Sequence, residues 1–197
     1  MNFLAHCLLG HPHEALMAGG FIGDFVKGPV PDTLPPELQA GVRLHRRVDA
    51  VSNRLPGIRT SIRRLDPELR RVAPVLLDIL GDHCLATRWD RHGHGDLAAF
   101  SASAYDAIHA YASHLPANGQ RFFRRMREVD LFVLYLEPAT PLRAMEYVLE
   151  RLRHAHLAPK LDRLVGAELP SLMDDFDGYF PELRSAVADW KEEAGFA

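Results

Sequence analysis

Apolar residues recur at spacings of three and four through nearly the whole chain, and no run of alternating β-branched residues bounded by turns interrupts them. The pattern leaves no place for a sheet, so the expected fold is all-α. Helices are expected over 2–9, 13–26, 36–53, 56–65, 67–89, 96–115, 118–137, 140–154 and 169–194, the last broken near Pro181. Pro36 and Pro67 stand where a first helical turn tolerates proline, Asp66 and Asn118 where an N-cap is wanted, and Gly28, Gly93, Gly95 and Gly166 in the breaks. With 197 residues, no internal repeat and only short linkers, residues 1–197 read as a single-domain helical bundle.

The net charge is −3, which argues against a general nucleic-acid binder, since such binding draws on many cationic contacts to phosphate. The charge is unevenly spread. Between residues 43 and 71 lie Arg43, Arg46, Arg47, Arg54, Arg59, Arg63, Arg64, Arg70 and Arg71 against Asp49, Asp66 and Glu68, while the segment from 168 onward is acidic. Cys7 and Cys84 are the only cysteines and form no CxxC pair, which suits a reducing compartment. The opening NFLAHCLLGHPHEAL lacks a basic leader segment, and no apolar run approaches the roughly 20 residues that span a bilayer. A cytoplasmic protein that binds neither nucleic acid nor membrane is expected.

On the helix over 36–53, Leu38, Val42, His45 and Asp49 form one inward stripe. On the helix over 67–89, Asp82 and His83 follow Ile79 and Leu80 into the same kind of apolar face. Each group alone reads as structural: Asp49 can simply hold His45, and a core can satisfy one histidine. Several together in one core are costly to desolvate unless a cation compensates them. Imidazole and carboxylate without thiolate favour an octahedral ion such as Mn²⁺ or Mg²⁺, or Fe²⁺, which acidifies bound water and neutralises a phosphoryl oxygen.

Asp24 ends the glycine-rich segment GGFIGDFVKG, and by pattern it serves equally as a ligand, a base for water or the start of a turn. His6 reads as a core histidine, and His92 and His94 as exposed loop residues. The arginines beside the stripe suit an anionic substrate or partner. Arg121, Arg124, Arg125 and Arg127 form a second cluster, whose interleaved Phe122, Phe123 and Met126 are expected to face the core.

MNFLAH, GGFIGDFVKG, LQAGVRLHRRVDA and LLDILGDHCLATRW, in this order and at these separations, resemble the acyl carrier protein phosphodiesterase family. The resemblance implies an all-α fold distantly similar to a distorted HD-type metal phosphohydrolase. It also implies a divalent cofactor, Mn²⁺ first, and a reaction that removes 4′-phosphopantetheine from holo-acyl carrier protein, an acidic partner. Mapped onto this chain, it makes Asp24 catalytic and His45, Asp82 and His83 metal ligands, with His6 and Asp49 beside them. Lys27, Arg43, Arg46, Arg47, Arg59 and Arg63 would then receive the substrate. The chain departs from the family pattern at Ser52, Asn53, Leu55 and Pro56, where Thr-Asp followed by His-Pro is common, and at Cys84. The same ligands would also serve a hydrolase of a small nucleotide such as a guanosine polyphosphate, and a helical interaction module would use them structurally.

Overall fold

Helix α1 (Phe3–Gly10) and helix α2 (Glu14–Ile22) bury almost every residue, from Leu4 to Gly10 and from Ala15 to Ile22. Helices without a polar face must lie inside a molecule, and these two do so in the computed structural model, which describes residues 2–196. Around them come α3 (Pro36–Ser52), α4 (Pro56–Arg64), α5 (Ala73–Thr87), α6 (Trp89–His92), α7 (Leu97–Ala110), α8 (Ala117–Glu128), α9 (Leu131–Leu134), α10 (Ala139–Arg151), α11 (Leu161–Arg163) and α12 (Leu169–Glu193). Short 3₁₀ turns and a π-helical stretch, Leu164–Glu168, complete the chain, with no strand among the described residues. The all-α expectation holds. None of the described helices is long and apolar enough to cross a membrane.

Helix α2 packs on α1, α3 and α7, while α12 packs on α3, α4 and α5. The crossing of α2 and α3 is made at Gly19 and Gly41, where a Cβ on Gly19 would collide with the main chain of Gly41 and one on Gly41 with the carbonyl of Ala15. Backbones can approach this closely only where side chains are absent. That contact fixes how α3 presents its inward stripe to α1 and α2.

Several boundaries differ from those read in the sequence. Helix α2 stops at Ile22 and continues as a 3₁₀ turn, Gly23–Phe25, rather than running to 26. The helix expected from 67 begins at Ala73, after a 3₁₀ turn at Leu69–Arg71; Asp66 holds the Glu68 amide and Lys160 instead of capping it. The segment expected as one helix over 118–137 divides at Asp130, which adopts φ 46° and accepts from the Val133 amide at the start of α9. Helix α12 passes through Pro181 unbroken. Tertiary packing overrides the proline there, because Phe176, Tyr179 and Phe180 before it and Leu183 and Val187 after it are all buried.

Candidate metal centre

His6 from α1 and His45 from α3 stack their rings 4.1 Å apart at 27°, and the carboxylate of Asp49 spans both. Asp49 Oδ1 lies 3.1 Å from His6 Nε2, and Oδ2 lies 3.3 Å from His45 Nε2. The three residues each offer one ligand atom, all within 4.8 Å of one another. Asp24, in the 3₁₀ turn after α2, brings Oδ1 to 3.8 Å from the same His45 Nε2. Both histidines are buried, whereas the side chains of Asp49 and Asp24 remain 41% and 46% exposed. The carboxylates therefore form the open side of the centre.

Glycines of α2 make this convergence possible. A Cβ on Gly20 would lie 3.0 Å from the His6 main chain and Cβ, and a Cβ on Gly23 would meet the His45 ring at 2.5 Å. Side chains at either position would hold α1 or the imidazole away. GGFIGDF thus clears a path for the neighbours of α2 and then turns Asp24 towards them.

The hydrogen-bond pattern fits a cation. His45 Nδ1 lies 3.0 Å from the carbonyl of Gly20, which can only accept, so Nδ1 carries a proton and Nε2 is the ring nitrogen turned to Asp24 and Asp49. A lone pair facing two anionic oxygens is repulsive unless a proton or a metal ion lies between them. Charging both stacked rings is unfavourable: burial, and then the charge of His45, push His6 down to about 4 despite the bond that His6 donates to Asp49. Burial would raise Asp49, but its hydrogen bond to His6 and the field of the imidazoles outweigh this and hold it at about 2. A neutral His6 and an ionised Asp49 are donor states that suit a divalent metal. Asp24 moves the other way, raised by burial and by the charge of Asp49 against the pull of His45.

Asp82 and His83 are not in this group. Both oxygens of the fully buried Asp82 accept main-chain N–H bonds, from Leu4 at 2.9 Å and Ala5 at 3.0 Å, so Asp82 serves the N-terminal turn of α1. His83 directs Nδ1 to the carbonyl of Tyr135 at 2.7 Å. Adjacent residues on a helix diverge by about 100°, and these two accordingly bind α1 and the end of α9.

The sequence profile of the family described as acyl carrier protein phosphodiesterase matches residues 1–183. This chain belongs to that family. Proteins named acyl carrier protein phosphodiesterase from Escherichia coli K12 / DH10B, from the O157:H7 strain EC4115 and from the O139:H28 strain E24377A are each 41% identical to it over 91 residues. Those residues are 46% of this chain, and the chain spans about half, 47%, of the length of these relatives. No solved structure matches it significantly.

Within this family member the arginine belt is dispersed. Arg46 donates to the carbonyls of Val26 at 3.1 Å and Gly28 at 2.6 Å, pinning the loop after Asp24 to α3. Arg43 and Arg47, two residues either side of His45, point to the far side of α3; both are exposed, and Arg43 donates to Gln39. Arg59 and Arg63 are exposed on α4, where Arg63 donates to Thr60 and Arg64 grips Asp175 of α12 through two bonds. Lys27 is exposed in the loop that Arg46 pins.

Sequence reasoning did not identify Gly20, Gly23 or Arg46 as positioning residues, although GGFIGD carried a signal for the glycines. It also misjudged His92. Expected in an exposed loop, His92 is buried, with Nε2 2.7 Å from Asp177 Oδ1, and Arg91 shares the same carboxylate. This pair joins α6 to α12.

Proposed function

We propose that this protein is a metal-dependent phosphodiesterase that hydrolyses the bond joining 4′-phosphopantetheine to the serine of holo-acyl carrier protein, leaving the apo carrier. The observation that supports it most directly is the convergence of His6, His45 and Asp49 beside Asp24, within a chain of this family. His6, His45 and Asp49 would hold the divalent cation, Mn²⁺ or else Mg²⁺ or Fe²⁺, which supplies charge neutralisation at the phosphoryl oxygens and a more acidic water. Asp82 and His83 support this arrangement indirectly, by fixing α1 and α9 to α5.

The remaining chemistry falls to the chain itself. Asp24 stands at the open side of the centre with its carboxyl raised by burial and by Asp49, which suits a base that takes a proton from the attacking water. The water oxygen forms a bond to phosphorus, the bond from phosphorus to the serine oxygen breaks, and the serine leaves as an alkoxide that then takes up a proton. His45 is kept in one orientation by the Gly20 carbonyl and the bare face of Gly23, so the carboxylates meet a fixed imidazole. Arg46 holds the loop bearing Lys27, which leaves that cation beside the entrance for the substrate phosphate. The compartment we assign is the reducing cytoplasm, where the buried thiols of Cys7 and Cys84 stay unpaired.

Incubating the protein with holo-carrier and Mn²⁺ and weighing the carrier by mass spectrometry tests the proposal. Loss of the 4′-phosphopantetheine mass is expected. An unchanged carrier, with turnover of a guanosine polyphosphate instead, would transfer the site to the nucleotide reading. No turnover and no metal binding would leave a helical interaction module.

A further inference from the structure

The phosphorus to be attacked is separated from the carrier backbone only by a serine side chain, so the carrier's surface must rest against the elements that border Asp24. Helix α8 is such an element. Phe25, which follows Asp24, packs against Phe21 with its ring tilted at 5.4 Å and lies 6.5 Å from Phe122 of α8. Phe122 also meets Phe21 at 6.1 Å, nearly parallel, and Phe3 at 5.5 Å; Phe3 lies one turn before His6 on α1. One aromatic cluster therefore joins the turn bearing Asp24, the helix bearing His6, and α8.

The outer surface of this cluster is unusual. Phe122 was expected in the core but is 40% exposed, among the few large apolar side chains left open. Arg121 precedes it and Arg125 follows three residues later, so the two arginines are one helical turn apart and flank the exposed ring. Arg121, Arg124 and Arg125 are all exposed. Arg125 makes a 3.5 Å contact with Glu128, an exposed pair of the kind that contributes little. Arg127 is engaged with Asp106 on the other side. An aromatic side chain flanked by arginines is the composition of a protein-binding hot spot, and a small nucleotide or diester would have no use for a stripe this long.

We propose that the carrier protein docks on α8 through Arg121, Phe122 and Arg125, presenting an acidic face with an apolar residue at its middle. This rests on the proposed function and adds the surface that receives the partner, in place of the belt on α3 and α4. There Arg46 and Arg64 are already engaged within the fold, and Arg43 and Arg47 face away from the centre.

The test compares wild type with Arg121→Glu/Arg125→Glu and with a charge-matched control on α10, Arg143→Glu/Arg151→Glu, after circular dichroism confirms each fold. With holo-carrier and Mn²⁺, the α8 variant should raise KM by roughly tenfold or more with kcat little changed, and should lose the salt sensitivity of KM. The milder Arg121→Gln/Arg125→Gln should shift KM less in the same direction, and the α10 control should match wild type. An α8 variant with wild-type KM and salt dependence overturns the proposal. Wild type that leaves the carrier's mass unchanged tells against the proposed function instead. Fluorescence anisotropy of labelled holo-carrier then reads docking alone: binding weakened in the α8 variants but not the control supports the α8 face, and equal binding in all of them rejects it.

Discussion

Gly23 lies directly against His45: a methyl group at position 23 would stand 2.5 Å from the imidazole Cγ and 2.6 Å from Cδ2. A contact that short has to be relieved by moving the ring, and the ring is tied in place by its bond to the Gly20 carbonyl. Gly23→Ala should therefore lower Mn²⁺ affinity by about 10–100-fold, the usual cost of disturbing a group that orients a ligand. Turnover should fall with it while the far-ultraviolet dichroism stays that of wild type. Mn²⁺ titration by calorimetry measures the first effect, and an unchanged affinity would show that the imidazole has room to retreat.

Metal binding should be visible as stability. Mn²⁺ at about 100 times its dissociation constant should add about 2.7 kcal/mol, which at this chain length raises Tm by roughly 5–10 °C. EDTA should reverse the shift, and His45→Ala or Asp49→Ala should abolish it. Differential scanning calorimetry with and without the ion is the check; equal shifts in wild type and both variants would place the ion elsewhere.

Asp24→Asn should separate chemistry from metal binding. The amide keeps the size of the carboxyl but takes no proton, so turnover of the carrier should fall by about 10²–10⁴-fold, the range for a general base. The thermal shift with Mn²⁺ should largely persist, because His6, His45 and Asp49 remain. Single-turnover kinetics beside the thermal shift decide it, and a variant that keeps its rate would remove Asp24 from the reaction.

Asp82 should leave a pH signature on stability. Burial, opposed by the amides of Leu4 and Ala5, raises its carboxyl from 3.8 to about 7. The unfolded chain ionises near 4, and the folded protein keeps the proton up to about 7. The native state thus binds more protons across that window, so the Asp82 contribution to stability declines as pH rises from about 4 to 7 and is level above it, a span on the order of a few kcal/mol. His6, depressed to about 4, acts in the opposite sense over part of this range, so the informative quantity is the difference from Asp82→Asn. Urea unfolding of both proteins at several pH values should show wild type losing ground to the variant as pH rises, and parallel curves would contradict the assignment.

Much of the fold was legible because helical periodicity is local. Leu38, Val42 and His45 are buried as the spacing of their stripe requires, while Asp49 carries the stripe out to the half-exposed rim of the centre, and residues 1–183 carry the family pattern. Boundaries were less legible where packing outweighed propensity, as at Pro181, or where a glycine ended a helix early, as at Gly23. Within the candidate site, pattern alone ranked His6 as a core histidine, since nothing in FLAHCLL shows that α1 will be drawn against His45. It gave Asp82 a place at the centre for the converse reason: a buried carboxylate reads the same whether it meets a metal or two backbone amides.

The sequence by itself determined the helical class, the inward face of α3 and the family, because all three are carried by the order and spacing of residues along one segment at a time. Which polar groups meet was decided only by the tertiary structure. Gly19 against Gly41 and Gly20 against His6 set how closely α1, α2 and α3 approach, and that approach brings His6 to Asp49 and leaves Asp82 beneath the start of α1. Such meetings depend on distances between segments remote in the chain, to which the periodicity within any one helix is blind.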